Sequence, residues 1–342
     1  MQRNSGLDPD MEHRLGSLLS GNMLSTYPAG ADRVHLLILI TKIRFRSAPS
    51  LPLLRHYTMS PSGSSSERER DSVLFPPRVP AAAGIDASGV AEGPLSIYGS
   101  RKASLSLHII VVGCGLGGLA TAFCLTQAGH RVTIIESSPV IGDVGAGIQV
   151  TPNCGRLLRR WGLRKHLDEF GVKPECITLK RYDTGETIGL KKLGEAMERE
   201  YGAPYYQIHR ADFHKLLYDL VASRVTILLG SPVTGCDPGP VSPSVTLKSG
   251  KVVKGDLIIG ADGVKSFIQQ VVSGKPNPAE STGNAVYRAI IPTSPMMQDP
   301  ELRELIEHPQ MCNWMGPRRH MVSYPIVRRF SSRGFRRSML TT

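Results

Sequence analysis

The 342-residue sequence has little that could hold it together by covalent or metal bonds. Its 6 cysteines, Cys114, Cys124, Cys154, Cys176, Cys236 and Cys312, form no C-x-x-C pair and no zinc spacing. A disulfide scaffold and a structural zinc site are thereby excluded, no metal ligands are assigned, and reduced thiols in a cytoplasmic protein are expected. Long apolar runs are missing too. Val34 to Ile40 is far shorter than the roughly 18 residues of a membrane helix, so no membrane span is expected. The same run lies behind Asp8, Asp10 and Glu12, which argues against a secretory signal. No internal repeat is found. Acidic residues stop at Glu307, while Arg318-Arg319, Arg328-Arg329, Arg333 and Arg336-Arg337 follow, and this tail supplies much of the net charge of +12. A nucleic-acid reader carries its bases on a folded face with a recognisable motif. Here they sit on a stretch without periodicity, so no nucleic-acid partner is inferred.

Composition divides the chain. Residues 1–104 are Ser/Pro/Ala-rich and read as a disordered, low-complexity extension. Within it, Met59-Ser60-Pro61 would serve as a translation start. Residues 105–275 read as a dinucleotide-binding domain, with part of a second sheet inserted near 172–208. Residues 280–327 read as part of an antiparallel substrate sheet, and 328–342 as an irregular basic tail. The fold class expected is α/β, a Rossmann-like unit with an inserted mixed or antiparallel sheet.

Leu105 to Val112 is a short β-branched apolar run, suited to a strand buried on both faces of a parallel sheet. Gly113-Cys114-Gly115-Leu116-Gly117-Gly118 follows, then a helical stretch to Gln127 with Gly129 as its stop, then a second strand, Val132 to Ile135, ending at Glu136. This is one βαβ unit of about 30 residues. Gly113, Gly115 and Gly118 fit G-x-G-x-x-G in its required setting. The first allows the tight turn, the second the approach of a pyrophosphate and the third close helix–sheet packing, with the helix N-terminus facing the phosphates. Glu136 can accept both hydroxyls of an adenosine ribose. The site therefore suits a dinucleotide with a free 2′-hydroxyl, NAD or FAD.

Further motifs recur downstream. Thr151-Pro152 caps a helix with Pro in its first turn. Phe213, Leu216, Leu217 and Leu220 form an apolar helical stripe that leaves His214 on the exposed side, where it would be inert. His209 reads as structural. Ser249-Gly250 turns a hairpin, and Leu257 to Ile259 is a strand running into Gly260-Ala261-Asp262-Gly263.

Taken in order, Gly145-Ala146-Gly147-Ile148-Gln149-Val150-Thr151-Pro152-Asn153, Gln207-Ile208-His209-Arg210-Ala211-Asp212-Phe213 and Gly260-Ala261-Asp262-Gly263-Val264-Lys265-Ser266 give the chain a wider likeness. From about Leu107 to Val327 it resembles the group A flavoprotein monooxygenases, FAD-dependent aromatic hydroxylases, in their salicylate hydroxylase-like branch. Tyr287-Arg288-Ala289, Trp314 to His320 and Tyr324-Pro325-Ile326 extend it. The resemblance implies FAD as cofactor, NAD(P)H as co-substrate, and O2 with a small phenolic acid as the reacting partners. It puts Glu136 at the adenosine ribose, Ala146 and Gly147 along the flavin, Arg210 as a flavin contact and Asp262-Gly263 at both FAD and the nicotinamide. Arg288 would stabilise a phenolate and Tyr324 would hold the substrate oxygen. Against these stand an ion-pair role for Arg288 and a core role for Tyr324.

The resemblance also implies a later Gly-Asp-Ala-Ala-His-type segment, and nothing after Ile326 matches one. The chain is therefore expected to be truncated, to bind FAD weakly and to hydroxylate poorly. The alternative function is accordingly an impaired FAD-binding fragment or pseudoenzyme. An NAD-dependent dehydrogenase is disfavoured by Arg210 and Asp262-Gly263, which it would not need.

Overall fold

A computed structural model describes residues 35–43, 101–141, 146–276 and 283–326. Met59, most of the Ser/Pro/Ala-rich extension, Gly145 and the basic tail 328–342 lie outside them. In chain order the elements are β1 (His35–Ile43), β2 (His108–Val112), α1 (Leu116–Ala128), β3 (Arg131–Ile135), β4 (Gly147–Val150), α2 (Pro152–Arg160) and α3 (Arg164–Phe170). Next come β5 (Cys176–Arg181), β6 (Thr187–Lys192), α4 (Gly194–Tyr201), β7 (Tyr206–His209), α5 (Arg210–Val221) and β8 (Thr226–Leu228). Then follow β9 (Val233–Asp237), β10 (Ser244–Leu247), β11 (Val252–Lys254), β12 (Leu257–Gly260) and α6 (Phe267–Ser273). The last are β13 (Asn284–Pro292), α7 (Thr293–Met296), α8 (Pro300–Glu307), β14 (Gln310–Gly316) and β15 (Arg319–Ile326).

The dinucleotide unit is a parallel sheet of order β12-β2-β3-β8. Ile109 to Val112 are all buried because both faces are covered. On one side Ile109 and Val111 pack with Leu119, Phe123, Leu167, Phe213 and Leu217 from the helices. On the other, Ile110 and Val112 meet Val245 and Leu247 of the β9–β11 meander and Ile268 of α6. Each such aliphatic contributes roughly 1.5–3 kcal/mol when fully buried, so this short strand anchors the unit. Gly129 stops α1 with φ +98°, and its N–H bonds the last carbonyls of the helix.

Between this unit and the second sheet lies the ribbon β4–β7, paired antiparallel with Gln149 opposite Gln207. Val150, Tyr206 and Ile208 point into the helical core. The alternating residues, Gln149 and Gln207, therefore face the other way. The second sheet has order β13-β1-β15-β14-β5-β6, in which β5 and β6 arrive from the insertion between the ribbon strands. One face carries Ile291, Cys312, Trp314 and Met321 against Met296 and Leu302 of α7 and α8. The opposite face carries Ile290, Met311, Val322, Tyr324 and Ile326.

One expectation is overturned. Residues 1–104 were read as a disordered extension, yet His35–Ile43 is a strand inside the second sheet, antiparallel to β13 on one side and β15 on the other. Its HLLILITKI run is apolar on both faces, as an interior strand requires, but its partners lie far along the chain and no local pattern points to them. Among the described residues, β13 joins the sheet through β1.

Proline lacks the N–H that an interior strand uses. Ile38, opposite Ala289 and Ser323, is a direct test. Ile38→Pro should lower unfolding free energy by about 1–3 kcal/mol in urea titration, the cost of an unmade backbone bond. A change within about 0.5 kcal/mol, the usual range of an uninvolved site, would contradict the strand's place.

Candidate functional site

The carboxyl ends of β2, β3 and β12 open on a cleft of about 330 Å³ lined by Gly113, Gly115, Glu136, Ser137, Ser231, Asp262, Gly263, Lys265 and neighbouring apolar groups. Ligands of open α/β sheets bind at this edge. Three glycines shape it differently. Gly113 has φ +107°, and a Cβ there would sit 2.3 Å from the Ala261 oxygen. A Cβ on Gly118 would lie 2.0 Å from the Gly113 oxygen, so this glycine sets the approach of α1 to the turn. At Gly115 a Cβ would meet nothing within 4 Å. Its backbone is ordinary, at φ −75°, so the open space beside it belongs to the cleft.

The backbone of Cys114 is clamped on both sides of its Cα. Its N–H donates to Glu136 Oε2 at 2.8 Å, and its carbonyl accepts from His214 Nε2 at 2.7 Å. Glu136 Oε1 accepts from the Ser138 N–H at 2.8 Å and from Ser137 Oγ at 3.1 Å. Burial alone would raise the Glu136 pKa, but these donors outweigh it and hold the carboxyl below its ordinary range. Glu136 is thus ionised at neutral pH. Burial, with the Glu136 charge second, pushes the Cys114 thiol up to about 11, so it stays protonated and unreactive.

His214 corrects the sequence reading. It was put on the exposed side of its helix, yet it is 8% exposed. α5 packs against α1 on a face broad enough to take in His214 beside Phe213 and Leu217, and the buried ring finds its partner in the glycine turn. The signal was available, since position 214 directly adjoins the apolar stripe.

Asp262 lines the cleft, but its carboxylate serves its own helix. Oδ2 accepts from the N–H groups of Phe267 and Ile268 at 2.7 and 3.1 Å, and Oδ1 accepts from Ser266 Oγ. The carboxylate caps the N-terminus of α6 and fixes Gly263, at φ +79°, on the rim. Ala261, held by its N–H to the Val112 carbonyl at 2.7 Å, forms the wall against Gly113. Ser231 and Lys265 also line the cleft and were not singled out from sequence. Ser231 follows a three-residue strand, and its place is fixed by its N–H to the Glu136 carbonyl, a long-range contact.

Ala146 and Gly147 open the ribbon. The Arg210 N–H donates to the Ala146 carbonyl at 2.7 Å, and Gly147 pairs with His209, so these residues meet where β7 passes into α5. Arg288 and Tyr324 share the face of the second sheet that carries Val322 and Ile326, by register through β1. Arg288 is exposed on β13, whereas Tyr324 is 1% exposed. Burial first, and then Tyr205, push the Tyr324 hydroxyl up to about 12, against opposing effects of a hydrogen bond with Gln149 and of the Arg288 charge. Arg288, Gln149 and Tyr205 thus each act on the Tyr324 hydroxyl.

The FAD binding domain family matches residues 106–334. The chain belongs to this family. The FAD-binding domain is 37% identical over 222 residues to the 3-amino-4-hydroxybenzoate 2-monooxygenase of Streptomyces cremeus, covering 65% of this chain and 54% of that protein. It is 34% identical over 222 residues to the 6-hydroxynicotinate 3-monooxygenase of Pseudomonas fluorescens, covering 65% and 56%. The chain spans about half the length of the curated relatives it matches. The crystal structure of FqzB has the same fold, with a TM-score of 0.50 at 19% identity over 71% of this chain and 58% of that one.

The residues present fit FAD. A turn without side chains at Gly115, a helix N-terminus with no acid in its first turn, and an ionised Glu136 at the far wall are what a pyrophosphate and a ribose require. The glycines separate packing from binding. Gly118→Ala should cost about 1–3 kcal/mol of stability through overpacking. Gly115→Ala should leave thermal stability within about 0.5 kcal/mol and weaken FAD at least tenfold, read by flavin fluorescence. Equal FAD affinity in Gly115→Ala and wild type would put the pyrophosphate elsewhere.

Proposed function

We propose that the chain is the FAD-binding and substrate-facing part of an NAD(P)H-dependent monooxygenase that inserts one atom of O2 into a small aromatic acid. The observation that carries this is the ribbon β4–β7. One of its faces is buried in the FAD-binding core, and the other presents Gln149 to Tyr324 on the sheet that also carries Arg288. A dehydrogenase of the simple two-domain type needs no such polar face opposite its dinucleotide unit. The relatives' names, an aminohydroxybenzoate and a hydroxynicotinate monooxygenase, support an aromatic acid as the substrate class.

Gly113 to Gly118 and the first turn of α1 would hold the pyrophosphate, and Glu136 the adenosine ribose, with the rotatable Ser137 hydroxyl giving way. Ala146, Gly147, Arg210 and Asp262-Gly263 would border the remainder of the cofactor. When bound, FAD supplies the oxidation of NAD(P)H and the delivery of one oxygen atom to the ring. Arg288 supplies a cation for a carboxylate or phenolate, and by favouring the phenolate over the phenol it keeps the attacked ring electron-rich. Tyr324, neutral at physiological pH because its pKa is high, can donate a hydrogen bond without adding charge. The six unpaired cysteines accord with a reducing, cytoplasmic setting. Among the described residues no helix is long and apolar enough to cross a membrane.

The test is NAD(P)H oxidation by the full chain in excess FAD, with and without a panel of hydroxybenzoates. Stimulation is expected with wild type, and Arg288→Met should lower kcat/KM at least tenfold, about 1.4 kcal/mol of transition-state stabilisation. Stimulation that survives intact in Arg288→Met would remove Arg288 from the substrate.

A further inference from the structure

Gln207 is 0% exposed, and neither its Nε2 nor its Oε1 has a hydrogen-bond partner. Its backbone is fully engaged, donating to the Val172 carbonyl and accepting from the Val172 N–H, both at 2.8 Å. The unmet demand is therefore confined to the carboxamide. Buried polar groups are nearly always paired, by protein, water or ligand, so two orphaned atoms on one side chain call for a partner.

The direction of that side chain follows from the ribbon. Its neighbours Tyr206 and Ile208 lie in the helical core, so Gln207 points to the opposite face, alongside its cross-strand partner Gln149. β15 packs on β7, and Gln149, beside Gln207 on this face, acts on the Tyr324 hydroxyl. Gln207 thus offers its amide to the seam between ribbon and sheet, where Tyr324 lies in the field of Tyr205 and Arg288.

We propose that the Gln207 carboxamide reads an adjacent hydrogen-bond donor and acceptor on the edge of the aromatic substrate, as in the N–H and C=O of a ring lactam. A carboxamide presents one donor group and one acceptor side by side. A carboxylate or phenolate offers acceptors only. It would satisfy Nε2, leave Oε1 unpaired, and be served better by the Arg288 cation. A lactam edge answers both atoms at once and leaves a substrate carboxylate for Arg288. The inference rests on the seam being the substrate face, as proposed above, and adds which ring chemistry that face selects.

The test uses the full chain in excess FAD and two ring acids, 6-hydroxynicotinate in its lactam form and 4-hydroxybenzoate. The second keeps the carboxylate and the opposite oxygen but lacks the ring N–H. Equilibrium dialysis should show wild type preferring the lactam at least tenfold, since a site built to bond an N–H rejects an analogue without it. Gln207→Met, similar in length and apolar, should bring the two affinities to within about threefold, and should melt without ligand at or above the wild-type temperature. A lower melting temperature or failure to fold would show that the amide is satisfied structurally, and would overturn the proposal. So would a wild type without preference, or a preference that survives in Gln207→Met. In those cases weaker binding of both acids by Arg288→Met would leave the substrate face standing. Binding of neither acid to wild type would overturn both.

Discussion

The fold turns on the backbone of one residue, Cys114. Its N–H is taken by Glu136 at the end of β3 and its carbonyl by His214 on α5, so the glycine turn is tied both to the neighbouring strand and to the helix that follows the ribbon. Gly118 and Gly113 close the turn so tightly that neither tolerates a side chain, and Ala261 at the end of β12 forms its wall. With the turn fixed, the space beside Gly115 is fixed too. An anion site made of backbone N–H groups works only if those groups cannot relax away. Glu136 therefore has two tasks: it braces the turn and presents an ionised carboxylate to whatever lies along it.

The second constraint is the ribbon β4–β7, which divides its alternating side chains between two environments. Val150, Tyr206 and Ile208 join the helical core, while Gln149 and Gln207 lie on the opposite face. A one-residue slip would exchange these faces, burying both amides in the apolar core, so the register is strongly specified. The Arg210 N–H bonded to the Ala146 carbonyl locks the same ribbon where it joins α5. Through α5, which carries His214 and begins at Arg210, the glycine turn and the ribbon are joined.

Much of the dinucleotide unit was legible because its signals are local. The run ending at Val112, the spacing of Gly113, Gly115 and Gly118, the stop at Gly129 and the acid at Glu136 fall within a single βαβ unit. What escaped depended on contacts distant in sequence. His35–Ile43 has the composition of an interior strand, but its partners Asn284–Pro292 and Arg319–Ile326 lie far along the chain. His214 looked exposed because a helical stripe gives a direction but not the width of the surface packed against it. Asp262 lines the cleft, yet only the structure reveals that its carboxylate caps α6. Gln207 opens one of the motif blocks, but its orphaned carboxamide is visible only in the structure.

The central claim is that the Gly115–Glu136 cleft recognises the ADP half of FAD through a free ribose 2′-hydroxyl. The most direct measurement is calorimetric titration of the purified chain with ADP and with its 2′-phosphorylated counterpart. Saturable ADP binding, at least tenfold tighter than that of the 2′-phosphate and competed by FAD, is the predicted result. Equal affinity for the two, or ADP binding that FAD does not displace, would contradict the account.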